Sequence, residues 1–220
     1  MTATMLMTSY NRIELLENTL ASIRVYSDID ILILDDANNS ITEKIASKMG
    51  CRYFCTRKIN HKWRIPGYAL NIGLKKIDSD IVFITSEDVK HVSNCIDPML
   101  KVLENDPKAM ARTKGKNETK PGRFKKLKTE YPFLMGFRRQ ELIDIGGYDE
   151  DFIGIGYDDA DLVDRLLLNG CHYVMCNGCE VLHQYHCRLC HREQKDNCRL
   201  YRQRRGTVNR NVGKDWGVLC

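Results

Sequence analysis

No stretch of this 220-residue sequence approaches the roughly 20 consecutive apolar residues that a membrane-spanning helix needs. The opening Met1-Thr-Ala-Thr-Met-Leu-Met7 also lacks the basic start of a secretory leader, so the expected location is the cytoplasm. In that compartment the ten cysteines are expected as reduced thiols, which excludes a disulfide framework. A glycine- and lysine-rich phosphate loop is missing from the N-terminal region as well. Its absence weighs against a nucleotidyltransferase, the alternative enzyme class that an acid-rich parallel sheet would otherwise suit.

What is present is an ordinary globular composition, 43% hydrophobic and 29% charged, in a chain long enough for one large domain with a single core. The formal net charge of +5 conceals an uneven distribution. Residues 112–128 hold eight Lys/Arg against one Glu, and residues 183–220 hold nine against three acids, so the remainder is acidic. Two basic segments on an acidic body suit anionic partners: a nucleoside diphosphate, a membrane surface touched peripherally by the tail, or nucleic acid.

Apolar runs of strand length alternate with helical periodicity along the first half. Residues 3–8 read as a strand, followed from Ile13 by a helix with Leu15, Leu16, Leu20 and Ile23 at helical spacing. Residues 29–36 read as a second strand, and Ser40-Ile-Thr-Glu43 as a capping box opening a helix that stops at Gly50. Residues 51–56 follow as a strand, 67–77 as a helix and 81–85 as a fourth strand. Such alternation gives βαβ units and a mostly parallel sheet, whose ligands bind beyond the carboxyl ends of the strands. Polar clusters sit at three of those ends: Thr8 to Arg12, Asp35-Asp36 and Ser86-Glu87-Asp88. Farther on, residues 108–112 read as a strand and 113–128 as a long basic loop.

The chain is organised around a later stretch, Gly146-Gly-Tyr-Asp-Glu-Asp-Phe152 and then Gly154-Ile-Gly-Tyr-Asp-Asp-Ala-Asp161, which runs into a helical pattern. Its glycines permit backbone shapes that side chains forbid, and its last three acids open a helix whose dipole favours them. A glycine-shaped loop that delivers a carboxylate into a cleft is an arrangement for general-base chemistry. This run resembles the C-terminal catalytic segment of the galactosyltransferase-like GT-A glycosyltransferases, the group of the β-1,4-galactosyltransferases and the chondroitin-polymerase-type members of inverting family 2. The first half is similar to that family's nucleotide-sugar half, with Thr8-Ser-Tyr-Asn-Arg12 before a helix and Leu34-Asp-Asp36 before a loop.

The resemblance implies a GT-A, Rossmann-like α/β domain over residues 1–190. Residues 1–90 would form the nucleotide-sugar half, 91–190 the acceptor and catalytic half, and 191–220 a flexible basic tail. It implies an inverting hexosyltransferase of polysaccharide biosynthesis. The enzyme would move a hexose or N-acetylhexosamine from a nucleoside diphosphate sugar, UDP-sugar first, to a hydroxyl on a glycan or glycoconjugate. By that resemblance Asp159 is the base, while Gly156, Tyr157 and Asp158 line the acceptor side. Asp35, Asp36, Thr8, Tyr10 and Arg12 hold the nucleotide, and Arg64 and Asn71 line the donor pocket. Ser86-Glu87-Asp88 stands where the family has Asp-x-Asp, so the metal falls to Asp88, with Glu87 as its substitute. His183 and His186 resemble the segment that supplies the remaining ligands, and imidazole beside carboxylate favours Mn2+, or else Mg2+, over calcium.

One signal stands outside that picture. Cys176-Asn-Gly-Cys179 and Cys187-Arg-Leu-Cys190 are two Cys-x-x-Cys knuckles at a spacing that structural zinc accepts. A nucleic-acid-binding zinc module would account for the cysteines and arginines, yet it leaves the first 175 residues without a purpose.

Overall fold

Strands with long apolar runs bury both faces, and three of the first four strands do so, the third being a half-buried edge strand. The computed structural model describes residues 1–56, 65–126, 133–154, 156–187 and 194–219. In chain order the first half comprises β1 (Ala3–Ser9), α1 (Ile13–Arg24), β2 (Asp30–Asp35), α2 (Ser40–Lys48), β3 (Arg52–Cys55), α3 (Pro66–Lys76) and β4 (Ile81–Ser86). The strands pair in the order β3-β2-β1-β4, all parallel. Their side chains divide between two faces with a period of two. Met5, Met7, Ile31, Ile33 and Phe83 pack with Leu16, Leu20 and Ile23 of α1. Leu6, Leu32, Leu34, Val82 and Ile84 pack with Ala69, Leu70 and Leu74 of α3. One boundary differs from the sequence reading: Asn39, not Ser40, caps α2, because its side chain accepts from Ile41 N at 2.9 Å.

The second half adds β5 (Val89–His91), α4 (Ile96–Asn105), β6 (Ala109–Lys120), β7 (Arg123–Lys126) and β8 (Leu134–Arg138). It continues with α5 (Arg139–Asp144), α6 (Asp158–Leu168), β9 (His172–His183) and α7 (Gln194–Arg204). The sheet runs on as β4-β8-β6-β9-β5, antiparallel at every new junction except β6–β9. The result is one mixed nine-stranded sheet whose parallel half carries the three polar strand ends. Residues 113–126, expected as a basic loop, form an antiparallel hairpin in which Lys116 faces Lys126. A strand solvated on both sides carries no apolar alternation, so its sequence looks like a loop.

The tail also differs from its expectation, because residues 194–219 are packed rather than trailing. Arg210 is buried and reaches Asp161 Oδ1 at 2.7 Å, and Asn211 Nδ2 donates to the carbonyls of Gly146 and Tyr148 at 2.8 and 2.7 Å. Tyr68 OH donates to Val218 O at 2.9 Å, and Gly217 N to Glu150 Oε1 at 2.8 Å. In a sequence these charges look solvated; in the fold they meet carboxylates of the acidic body.

At the edge of the sheet, His91 is 4% exposed and neither ring nitrogen has a hydrogen-bond partner among the described residues. Burial pushes its pKa down to about 4. The unfolded chain takes up this proton near pH 6.5, so below that pH the unfolded state binds more protons and is favoured. His91 is thus harmless above about pH 6.5 and costs up to about 3 kcal/mol as the pH falls to about 4. Urea unfolding followed across this window should show wild-type stability declining with acidity and a His91→Leu variant declining less. Equal slopes would place the acid lability elsewhere.

Candidate functional site

Parallel pairing of β1 with β4 puts Thr8 opposite Ser86, so two of the polar strand ends lie side by side. Antiparallel pairing of β5 with β9 puts Val89 opposite His183, and Gln184 N donates to Asp88 O at 2.8 Å. Residues almost a hundred positions apart therefore converge. Asp88 Oδ2 lies 3.7 Å from His183 Nε2 and 3.3 Å from His186 Nε2. Among the described residues these three form the one group suited to a metal ion, with ligand atoms all within 4.8 Å of one another.

Both imidazoles are also held from their far side. Asn117 Oδ1 accepts from His183 Nδ1 at 2.9 Å, and Cys187 O accepts from His186 Nδ1 at 3.1 Å. With each Nδ1 bonded to an oxygen acceptor, each Nε2 faces Asp88, where it donates to the carboxylate when protonated and offers a lone pair to an ion when not. Burial pushes the Asp88 carboxyl up, but the His186 hydrogen bond, His183, Ser86 and Arg12 outweigh it and hold it well below the usual carboxylate range. One ionised oxygen and two imidazole nitrogens fit a divalent transition ion better than calcium.

The structure locates the other candidates individually. Arg12 pairs its guanidinium with Asp88. Glu87 is fully buried and accepts from Ser9 Oγ at 2.6 Å and from Tyr10 N at 2.9 Å, so it braces the β1–α1 turn and lies outside the metal cluster, not in it as the substitute ligand. Asp35, also fully buried, accepts from Ala37 N, Asn39 N and Tyr53 OH at 2.9, 2.7 and 2.9 Å. Asp36 accepts from Ile65 N at 2.6 Å, tying the end of β2 to the start of α3. Asn71, expected to line a donor pocket, is buried at 0% exposure, where it clasps the turn after Gly147 through Tyr148 N, Tyr148 O and Glu150 Oε1. Arg64 lies outside the described residues.

A cavity of about 440 Å³ opens beside the strand ends, lined by Thr8, Ser86, Phe133, Tyr157, Asp158 and Asp159 among others. Gly156 (φ +99°) and Tyr157 (φ +71°) both turn through the left-handed region, which starts α6 with its acids toward the cavity. The two neighbouring acids are then sorted by their partners. Asp158 Oδ1 accepts from Gly156 N at 3.2 Å within the loop, while Asp159 Oδ1 accepts from Tyr148 OH at 3.0 Å. Phe133, a cavity wall, stacks on His183 with ring centroids 4.6 Å apart, so cavity and metal cluster share a side.

Behind this loop stands a buried ion network. Arg165 Nε reaches Asp161 Oδ2 at 2.7 Å, and its other nitrogens donate to Ile145 O and Gly147 O at 3.0 and 2.8 Å. Arg210 Nε lies 3.1 Å from Asp149 Oδ2. The chain comes so close here that a Cβ on Gly147 would stand 2.4 Å from Asn71 Oδ1. Sequence reasoning assigned no site role to Asn117, Tyr148, Arg165 and Arg210; Tyr148, inside the quoted motif, and Arg165, in the helix it runs into, carried a signal.

Of the two cysteine knuckles the first is described in full and the second only at Cys187. Cys176 and Cys179 lie where β9 bulges away from β6, between Arg112 and Lys114, and are buried in the core with Cys95. Burial pushes the Cys176 thiol to about 11 and the Cys95 thiol to about 12. Among the described residues no metal-sized group includes Cys176, Cys179 or the exposed Cys187, and Cys190 lies outside those residues.

Comparison with solved structures returns folds of one kind. GalNAc-T7, solved with UDP, GalNAc and Mn2+, superposes with a TM-score of 0.67 at 14% identity over 84% of this chain. The mannosyltransferase PcManGT from Pyrobaculum calidifontis, solved with GDP-Man and Mn2+, gives 0.59 at 17% identity over 82%. This chain covers 44% and 56% of those two proteins, about half of each. No curated protein matches. The family described as Glycosyl transferase family 2 matches residues 4–162. With that match spanning most of the sequence, and a mixed α/β sheet shared with these transferases, the chain belongs to glycosyl transferase family 2 and carries its GT-A fold.

Proposed function

We propose that this protein is an inverting glycosyltransferase that moves a hexose or N-acetylhexosamine from a nucleoside diphosphate sugar, UDP-sugar by preference, to an acceptor hydroxyl on a glycan or glycoconjugate. It would work in the cytoplasm. One observation carries the reading: the Asp88–His183–His186 cluster opens beside the cavity into which α6 delivers Asp159.

In this mechanism Asp159 accepts the proton of the acceptor hydroxyl as its oxygen attacks the anomeric carbon from the face opposite the diphosphate. Its half-exposed position at the helix start keeps it within reach of an incoming acceptor. Tyr157 and Asp158 shape the acceptor side, and Thr8, Tyr10 and Arg12 stand at the nucleotide side, where the Arg12 cation suits a phosphate oxygen. Asp88, His183 and His186 would hold Mn2+, which when bound neutralises charge on the departing diphosphate. Asp36 stays the candidate for recognising the nucleoside, through its place at the end of β2.

Binding to the native state alone raises stability by about 2.7 kcal/mol at a ligand concentration of 100 Kd. A thermal-shift series with UDP or GDP should therefore show a Tm gain of several degrees in Mn2+ and little in chelator. Asp88→Ala should remove the Mn2+-dependent part. Equal gains in wild type and variant would take Asp88 out of the metal site.

A further inference from the structure

Next to the candidate base lies a phenol that no role above requires. We propose that the Tyr148 hydroxyl orients Asp159 and keeps its carboxylate ionised, so that Tyr148 is a positioning residue of the transfer reaction. The inference rests on the reading of Asp159 as the base.

The contact is direct, 3.0 Å from Tyr148 OH to Asp159 Oδ1. What sets it apart from a chance hydrogen bond is how firmly Tyr148 is fixed. Its N–H donates to Asn71 Oδ1 at 2.8 Å, and its carbonyl accepts from Asn71 Nδ2 at 2.9 Å and Asn211 Nδ2 at 2.7 Å. Its side chain lies against Gly67, where an added Cβ would come within 3.0 Å of Tyr148 Cβ. Two parts of the chain remote from it, α3 and the segment after α7, thus fix the backbone of Tyr148, whose hydroxyl meets one carboxylate.

The chemistry of the pair runs in a single direction. Burial above all, then the charges of Asp159 and Asp158, push the Tyr148 phenol well above its usual range, so it remains a donor. A hydrogen bond donated to a carboxylate favours its ionised form. Among the described residues, the other charges acting on the phenol include Asp158 and Arg165, both on α6. From α3 and from the C-terminal segment the neighbours are the neutral Asn71 and Asn211.

Tyr148→Phe keeps the ring and removes only the hydroxyl. In the intact protein with Mn2+ and a verified donor and acceptor, kcat should fall on the order of tenfold, with donor KM and Tm nearly unchanged. The acidic limb of the pH profile should move to higher pH, because the base has lost a donor to its charged form. In an Asp159→Asn background the same substitution should cause no further loss, since Tyr148 acts through Asp159. An unshifted acidic limb with wild-type kcat, or an equal loss in both backgrounds, would overturn the assignment. If Asp159→Asn alone retains full turnover, the reading of Asp159 fails, and the assignment with it.

Discussion

Asp159→Asn is expected to lower turnover by a factor on the order of 10² to 10⁴ while leaving nucleotide binding nearly intact. The amide keeps the shape of the side chain and can still accept from Tyr148 OH, but it cannot take a proton from the acceptor. Asp158 cannot replace it. Neighbouring positions on a helix point about 100° apart, and Asp158 already accepts from Gly156 N inside the loop. Asp158→Asn should instead appear mainly as a higher acceptor KM. Steady-state kinetics on both variants, with the anomeric configuration of the product read by NMR, decides the matter. Near-normal kcat for Asp159→Asn, or a product that keeps the donor's configuration, would sink the single-base inverting mechanism.

The second large effect concerns stability. Arg165 is 1% exposed and neutralises Asp161 while its remaining N–H groups donate to Ile145 O and Gly147 O. Arg165→Met fills similar space but removes one of the two cations on buried Asp161 and the side-chain donor to Gly147 O, while Ile145 O keeps its bond from Arg210 N. Removing one partner of a buried pair costs about 3–5 kcal/mol. For a chain of this size that is a Tm loss of roughly 6–20 °C. Arg210 still faces Asp161, which tends to lower the cost, so a melting curve displaced by only a degree or two would mean that Arg210 alone suffices. Activity should fall more steeply than stability, because the two carbonyls belong to the turn that carries Tyr148.

Much of the nucleotide half was legible because buried parallel strands carry long apolar runs, and β1, β2 and β4 announce themselves that way. Their polar ends, and the acids opening α6, were visible for the same reason: they interrupt a pattern. The pairing of Asp88 with His183 and His186 could be anticipated only by resemblance, since the register of β5 on β9 is nowhere written in local sequence. Buried charge was the main thing hidden. Arg165, Arg210, Asp149 and Glu87 have the composition of a solvated surface, and only tertiary pairing puts them inside. Asn71 was misplaced likewise, because an amide on α3 can face a ligand or a turn, and periodicity does not say which. The hairpin at 113–126 failed for the opposite reason, being a strand pair without an apolar face.

The packing of the C-terminal segment also has a bearing on when the protein becomes competent during its own synthesis. Asn211 and Gly217 hydrogen-bond to the turn that precedes the helix of Asp159, and Arg210 holds the acids on either side of it. At about 5–20 residues per second, roughly 3–11 s separate the emergence of Asp159 from that of Trp216. During that interval the parallel half of the sheet has everything it needs to form, whereas the turn lacks its clasp. A ribosome-bound chain stalled before Arg210 should therefore present a parallel half that is already folded beside a candidate base, Asp159, that is not yet in place.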